Sequence, residues 1–149
     1  MTNSTTSPPL AARRDSSPVD SLLHPQAVLL RRLLTPSERR EIGLILVDDS
    51  ENIVQAIRAG VTIRSVFHCD TALSADVQQT LPPTVTIYTV LRRTCKKLFA
   101  NEKTSRIFAI AEKPSPHPLA MLPTTRRDIV VLDGIGIAGN IGAIIRTAS

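Results

Sequence analysis

The sequence predicts an α/β fold in which helices cover both faces of a β-sheet. Short apolar runs rich in β-branched residues alternate with segments whose apolar residues recur at helical spacing. Such alternation of strands and helices is typical of a largely parallel sheet in a three-layer α/β/α arrangement. Hydrophobic residues make up 42% of the chain and aromatic residues only 3%, so we expect an aliphatic core.

The first two predicted helices follow each other directly. Pro25 suits the first position of a helix that runs to Leu34, and His24 is expected only to begin that helix. The stretch Thr35–Glu38 has the pattern of a capping box, in which a threonine and a glutamate three residues later bond reciprocally to the backbone. It predicts a further helical turn.

A strand over Ile42–Val47 and a helix over Glu51–Ala59 come next, and Gly60 is a typical residue to end that helix. Asp48 and Asp49 lie between them. Paired carboxylates are suited to acid–base catalysis or to Mg²⁺, but adjacent residues at a strand end point in different directions. Because Asp-Asp-Ser before a helix is also a capping pattern, we interpret the two residues as caps.

The alternation then continues toward the middle of the chain, where each apolar run is separated from the next by an amphipathic segment. We expect further strands at Val61–Phe67, Val85–Val90 and Ile107–Ala111, and further helices at Ser74–Leu81 and Leu91–Ala100.

Two segments lack this periodicity and divide the chain. Residues 1–20 are rich in Ser, Thr and Pro and predict a disordered tail. Residues 114–127 are rich in Pro and predict a linker. We therefore expect one domain over residues 21–113 and the beginning of a second over residues 128–149.

Charge and cysteine content limit the classes of function. The net charge of +5 and the pI near 9.9 favour a polyanionic partner, although a merely soluble basic domain has the same balance. Cys69 and Cys95 belong to no CxxC pattern, so we expect reduced thiols and no metal site. Neither a signal peptide nor an apolar run of the ~20 residues that span a bilayer is apparent, which predicts a cytoplasmic protein with no membrane partner.

The densest charge lies on and just after the predicted helix Leu91–Ala100. The 15 residues from Arg92 to Arg106 contain one acidic residue, Glu102, and six basic residues. An ordinary solvated helix face explains part of this pattern, but so many charges of one sign favour contact with RNA phosphates. The candidate RNA-binding residues are Arg92, Arg93, Lys96, Lys97, Lys103 and Arg106.

The last stretch predicts a strand, a glycine loop and the start of a helix. Ile129–Leu132 has the composition of a buried strand, and Asn140 occupies the position expected of a helix N-cap. Gly134–Gly139 fits G-x-G-x-x-G, but this pattern alone is a weak sign of a dinucleotide site. A P-loop is excluded because Lys-Ser or Lys-Thr does not follow the last glycine.

The complete string is far more specific than its glycines. Val131–Gly134 followed by Gly139–Ala148 resembles the first motif of the SpoU branch of the SPOUT RNA ribose methyltransferases, with the core Asn-Ile-Gly-Ala-hydrophobic-hydrophobic-Arg-Thr-Ala. From about His24 onward the chain resembles the thiostrepton-resistance rRNA 2′-O-methyltransferases. The matching pieces are Ala59–Val61, Lys96–Phe99, Ile107–Ala111 and Arg127–Gly134.

The resemblance implies a fold and a site. Residues 21–113 would form an L30e-like RNA-binding domain that recognises the substrate, and residues 128–149 the first strand and helix of an incomplete SPOUT (α/β-knot) domain. Arg146 matches the arginine that in the family is proposed to contact RNA and help activate the 2′-hydroxyl. Asn140 matches the motif asparagine, which we interpret as ordering the loop and helix start.

The same resemblance implies S-adenosylmethionine as the cofactor, bound by later motifs expected beyond Ser149, and a homodimer formed largely through that later region. Two hypotheses follow. In the first, the chain is the N-terminal part of a 23S rRNA 2′-O-ribose methyltransferase that confers resistance to a thiostrepton-like antibiotic, and it is inactive alone. In the second, it is a stand-alone, non-catalytic L30e-like module that binds large-subunit ribosomal RNA.

Overall fold

The computed structural model describes residues 13–14, 17–100, 106–116, 130–134, 136 and 138–148. The chain divides into two compact units, Met1–Ser115 and Pro116–Ser149. The helices of the first unit are α1 (Pro25–Leu34), α2 (Pro36–Ile42), α3 (Ser50–Arg58), α4 (Ala75–Thr80) and α5 (Arg92–Leu98). Its strands are β1 (Arg13–Arg14), β2 (Leu44–Asp48), β3 (Ile63–His68), β4 (Thr86–Thr89) and β5 (Ile107–Glu112). The second unit contains α6 (Ala138–Ala148).

The strands form one mixed sheet in the order β1-β4-β3-β5-β2. β3 and β4 are parallel, as are β1 and β4, but β5 runs antiparallel to both of its neighbours, β2 and β3. The expectation of a largely parallel sheet is therefore wrong. The reason is the point at which β5 begins: the Cys69 N–H, just after β3, donates to the Arg106 carbonyl oxygen at 2.8 Å. Because β5 starts where β3 ends, the two strands must run in opposite directions.

Helices cover both faces of the sheet, which confirms the three-layer α/β/α prediction for the first unit. Ile53 of α3 and Val77 of α4 are fully buried against one face. Leu30 and Leu33 of α1, together with Leu98 of α5, are buried against the other. The more specific L30e-like relationship stays a prediction.

The core differs from the aliphatic one that composition predicts. The three phenylalanines and the single tyrosine of the chain all lie on the α1 and α5 side of the sheet. Phe67 and Phe108 are opposite each other in register on β3 and β5 and stack with ring centroids 5.2 Å apart. Tyr88 stacks on Phe67 at 5.3 Å, and Phe99 meets Phe108 edge-on at 5.1 Å. A low aromatic content thus conceals one concentrated cluster.

The segment before α1 is more ordered than its composition predicts. Val19 is completely buried: its N–H donates to the Thr89 carbonyl oxygen at 2.8 Å, and its own carbonyl oxygen accepts from the Leu91 N–H at 3.1 Å. Arg13 and Arg14 pair in parallel with β4. At these residues the predicted disordered tail is wrong, because backbone pairing with a sheet edge requires no apolar periodicity. The other residues before Ser17 lie outside the described part.

The predicted helix start at His24 and the predicted cap at Asp49 are confirmed, whereas Asp48 is the last residue of β2 and not a cap. His24 begins α1, where its Nδ1 accepts the Gln26 N–H at 3.2 Å. Asp49 caps α3, where its Oδ1 accepts the Glu51 N–H at 3.0 Å. The carboxylate of Asp49 thus has a structural partner, as the capping interpretation requires.

The predicted capping box is wrong, although the helix that it predicted is present as α2. The Thr35 hydroxyl donates backward to the Arg31 carbonyl oxygen at 3.0 Å. Glu38 accepts instead from Arg32 Nε at 3.0 Å. Thr35 stands at the junction of two helices, and its side chain satisfies the end of α1 rather than the start of α2.

The two cysteines are close in space although distant in sequence. The Cys95 thiol hydrogen-bonds the Cys69 thiol. Burial, the neighbouring Cys69 and Asp70 raise the pKa of Cys95 to about 12. Burial also raises the pKa of Cys69, while the bond from Cys95 and the positive charges of Arg106 and Arg92 act in the opposite direction. Both thiols are therefore protonated at neutral pH.

We expect Phe108→Ala to lower the free energy of unfolding by about 3–5 kcal/mol, because it opens a cavity at the centre of the aromatic cluster. Urea denaturation measures this loss. Leu23→Ala is the matched control: the Leu23 side chain is 87% exposed, and its removal should change stability by less than about 0.5 kcal/mol. A loss at Phe108 no larger than that at Leu23 would contradict the assigned core.

Alkylation should report the raised cysteine pKa values. In urea, iodoacetamide should react with both thiols at a rate that levels off above about pH 9.5, since an unperturbed cysteine has a pKa of about 8.5. In the folded protein the rate at Cys95 should be far slower and should still be rising at about pH 10, where the rate in urea is already constant. Mass spectrometry of the labelled peptides measures both rates, and equal rates in the two states would refute the shift.

Candidate nucleic-acid interface

The predicted basic block forms one face of α5. Its four basic residues, Arg92, Arg93, Lys96 and Lys97, are all exposed, whereas Thr94 and Leu98 are buried. A helix turns by about 100° per residue, so the four basic positions spread over about 140° and the buried ones lie opposite. The burial of Leu98 in the aromatic side of the core therefore fixes the direction in which the positive charges point.

Among the described residues, only one of these four basic side chains forms an ion pair with an acidic side chain. Arg92 Nε lies 3.7 Å from Asp70 Oδ2, and both side chains are largely exposed. The structure gives Arg93, Lys96 and Lys97 no ion pair with a described residue, whereas Arg32 and Arg64 elsewhere on the unit pair with glutamates at 3.0 Å. The α5 face thus keeps most of its charge available to a polyanion.

The fold also brings Arg106 toward this face, although it lies well beyond α5 in sequence. Arg106 is exposed at the start of β5, and its carbonyl oxygen anchors Cys69, the residue before Asp70. Arg106 and Arg92 are both close enough to influence the Cys69 thiol. Two ends of the predicted block therefore border one loop. Lys103, the sixth predicted residue, lies outside the described residues.

Asp70 is a residue of this interface that the sequence reasoning missed. A single aspartate in a polar loop has no periodic or spacing signal. Its position three residues after a predicted strand was the available indication, because open α/β sheets place ligands near the carboxyl ends of their strands.

A separate cavity of about 360 Å³ lies on the other helical layer, at the start of α3. It is lined by polar and acidic side chains that include Asp49, Glu51 and Asp76, together with Arg58. Its composition does not suit a polyanion. Within the described ranges, no group of three or more His, Cys, Asp or Glu side chains is arranged to hold a metal ion.

The second unit contains the motif stretch, but the described residues of the predicted strand Ile129–Leu132 do not form a strand; Ile129 lies outside the described residues. Val130, Val131 and Leu132 belong to no strand, and their side chains are 58%, 81% and 37% exposed. A buried strand requires hydrogen-bonded neighbours, and the described part of this unit provides none. Gly134 has a φ of +67°, which suits the predicted break after the apolar run.

The two motif residues both lie on α6, which begins at Ala138. Asn140 is therefore the third residue of the helix and is exposed, so the predicted N-cap is wrong. Ala138 is of the residue type with the highest helix propensity, which favours the earlier start. Arg146 is on the same helix, six residues later. That spacing corresponds to about 9 Å along the helix axis.

Comparison with known proteins agrees with the resemblance to thiostrepton-resistance methyltransferases. A family model described as the N terminus of thiostrepton-resistance methylases matches residues 16–125. The chain is 30% identical over 138 residues to the 23S rRNA (adenosine(1067)-2′-O)-methyltransferase of Streptomyces azureus, covering 87% of this chain and 50% of that protein. It is 33% identical over 118 residues to the protein of the same name from Streptomyces laurentii, covering 78% and 44%. The chain thus spans about half the length of these relatives.

Solved structures share the fold. An RNA 2′-O ribose methyltransferase superposes with a TM-score of 0.65 at 24% identity, over 89% of this chain and 51% of the other. An AdoMet-bound rRNA methyltransferase from Sinorhizobium meliloti superposes with a TM-score of 0.54 at 16% identity, over 67% and 38%. In the described part of the chain, no helix has the length and apolar character needed to cross a membrane.

The family model covers most of the chain, including every strand and helix from α1 to β5. The two Streptomyces relatives of the chain both carry the name of a 23S rRNA methyltransferase. The protein therefore belongs to the thiostrepton-resistance methylase family, whose N-terminal region it matches.

Proposed function

We propose that this protein acts in the methylation of a ribose 2′-hydroxyl of 23S rRNA, with its first unit binding the RNA, and that the modification confers resistance to a thiostrepton-like antibiotic. The observation that carries the proposal is the exposed basic face of α5, in a chain that belongs to a family of rRNA methylases. Because the Streptomyces relatives are named for adenosine 1067, RNA around that nucleoside is the first substrate to test.

The basic face is suited to a folded RNA. Phosphate neutralisation by exposed Lys and Arg supplies affinity without sequence information. The face adjoins the carboxyl end of β3 through the Arg92–Asp70 pair, so charge and a structured loop are presented together. Recognition of a folded RNA loop uses this combination, since phosphates position the chain and the bases that are not stacked supply identity.

The proposed role of Arg146 is electrostatic. A guanidinium almost never loses its proton, so it cannot serve as a general base. A fixed cation beside the 2′-oxygen instead stabilises the negative charge that develops there as the hydroxyl becomes a nucleophile. For Asn140 we propose that it orders the start of α6 near the reacting ribose; its exposure leaves it accessible to such a contact.

We propose S-adenosylmethionine as the methyl donor, which the AdoMet-bound neighbour supports. The described residues of the second unit do not form a pocket for it alone, because Val130–Leu132 and Asn140 are exposed and a cofactor site encloses most of its ligand. We therefore assign no residue of this chain to the donor. The same proposal includes two domains, at residues 21–113 and 128–149, joined by a linker. It also includes a homodimer.

Reversal of two charges on α5 tests the RNA interface. Lys96→Glu with Lys97→Glu should weaken binding to a 23S rRNA fragment around adenosine 1067 by at least about tenfold near 0.1 M salt. The slope of log K against log salt should become shallower by about 1.4, since two phosphate contacts are lost. Fluorescence anisotropy across a salt series measures both quantities.

The matched control is Arg39→Glu with Arg40→Glu. These exposed residues occupy the last turn of α2, as Lys96 and Lys97 occupy the last turn of α5, and the change in net charge is equal. The control should alter binding only slightly. An equal loss in both variants would mean that net charge, rather than the α5 face, holds the RNA.

Arg146 should separate catalysis from binding. In a form of the protein that carries the complete methyltransferase region of its relatives, Arg146→Ala should lower the methylation rate by about 10²–10³ and change RNA affinity little. Arg146→Lys should restore part of the rate because it keeps a cation. Arg93→Ala should show the opposite pattern, with weaker RNA binding and a nearly unchanged rate at saturating RNA. A similar loss of affinity in Arg146→Ala would contradict the proposed role. If that complete form bound RNA without transferring methyl groups, the protein would be the non-catalytic RNA-binding module.

A further inference from the structure

The loop Cys69–Leu73, which follows β3 beside the basic face of α5, is held in place from two sides. The Cys69 N–H donates to the Arg106 carbonyl oxygen at 2.8 Å. His68 Nδ1 lies 2.9 Å from the Thr71 carbonyl oxygen, and since a carbonyl only accepts, Nδ1 is the donor. His68 Nε2 is in turn 3.1 Å from the Thr89 hydroxyl on β4. These bonds fix the loop without using the carboxylate of Asp70.

Asp70 lies between these two anchors in a rarely adopted backbone conformation. Its φ is +50°, in the left-handed region that non-glycine residues seldom occupy and that Asp and Asn tolerate best. The carboxylate is about half exposed, and Arg92 Nε faces its Oδ2 at 3.7 Å. The structure gives Oδ1 no hydrogen-bond partner among the described residues. The loop therefore presents an oriented acceptor to solvent.

A carboxylate is unfavourable on a surface that only binds phosphates. It reduces the positive potential of Arg92 and repels the RNA backbone. Its chemistry suits another part of RNA. Amino and imino groups on the edges of bases donate hydrogen bonds that a carboxylate can accept. In RNA these edges are accessible where a base is not paired. A pre-oriented acceptor beside phosphate-binding cations is the arrangement that reads such a base.

We propose that Asp70 determines RNA specificity by accepting a hydrogen bond from the amino-bearing edge of an unpaired base, while the adjacent cations of α5 hold neighbouring phosphates. The inference rests on the proposed RNA-binding function. Arg92 has two roles in this arrangement: it orients the carboxylate, and it contributes to the positive potential that attracts the backbone.

The experiment compares two RNAs of equal length and charge. One is a 23S rRNA fragment with the loop around adenosine 1067, and the other is a fully paired duplex. Asp70→Asn should reduce the preference for the looped RNA by about fivefold or more. The amide oxygen should turn toward the Arg92 guanidinium, so that the amide NH₂, a donor, faces the donor on the base. The affinity of this variant for the duplex should stay equal or rise, because a negative charge is removed. Asn tolerates the same backbone conformation, so the melting temperature should be unchanged.

Asp76→Asn on α4 is the matched control, because Asp76 is exposed and belongs to the helical layer on the opposite face of the sheet. It should leave the preference unchanged. A further measurement uses the unaltered protein. Looped RNAs in which single bases lack their amino group should include one that binds more weakly, and that loss should disappear in Asp70→Asn.

Three results would overturn the proposal. In the first, Asp70→Asn strengthens binding to both RNAs equally, which would mean that Asp70 only repels RNA phosphates through its charge. In the second, the unaltered protein binds looped and duplex RNA equally well. In the third, no amino-group deletion couples to Asp70. In all three cases the Lys96 and Lys97 reversal still reports on RNA binding itself, so failure of the specificity proposal is distinguishable from failure of the proposed function.

Discussion

The pairing of β3 with β5, and the stacking of Phe67 on Phe108 across it, is the constraint on which the rest of the first unit depends. β3 is the central strand of the sheet, and β5 joins it to β2. On one side of this pair, Phe99 packs edge-on against Phe108 directly after α5. At the end of the same pair, the Cys69–Arg106 hydrogen bond sets the start of the loop that carries Asp70. The basic face and the acidic loop are thus both positioned by contacts of the β3–β5 pair.

In the proposed function, phosphate binding and base recognition belong to different kinds of structure. The cations lie on a helix whose opposite side is buried, where long flexible side chains can follow a phosphate backbone. Asp70 lies on a short loop fixed at Cys69 and at Thr71, where an acceptor keeps one direction. Affinity and discrimination can therefore be changed by substitutions at separate positions, although Arg92 couples them.

The sequence was sufficient for the elements of the first unit because burial imposes a period on the chain. Apolar spacing predicts α1, α3, α4 and α5 and strands β2 to β5 within a few residues of their observed bounds. Periodicity does not state from which end of the sheet a strand enters, so the antiparallel direction of β5 could not be predicted. Nor does composition state that four aromatic residues meet, since Tyr88 and Phe99 are brought to Phe67 and Phe108 only by the tertiary fold.

The candidate site was predictable to different extents for similar reasons. The cations of α5 share a helix face, so their spacing in the sequence predicts the basic surface. Asp70 is recognised as part of the site only through its ion pair with Arg92, 22 positions away in the chain. At the motif, the matched string identifies Arg146 and Asn140, but the start of α6 depends on local helix propensity that the family pattern does not state. The strand expected at Ile129–Leu132 depends on partners rather than on its own composition.

The burial of Val19 has a practical consequence for any shortened form of this protein. Its carbonyl oxygen accepts the N–H of Leu91, the residue immediately before α5, and its N–H satisfies Thr89 at the end of β4. A protein that begins at residue 21, where composition places the domain boundary, would leave both backbone groups without these partners and remove a fully buried side chain. The first turn of the basic helix would then fray. A deletion of the residues before this boundary would in this way disturb the basic face of α5, and shortened proteins should retain the chain from Ser17 onward.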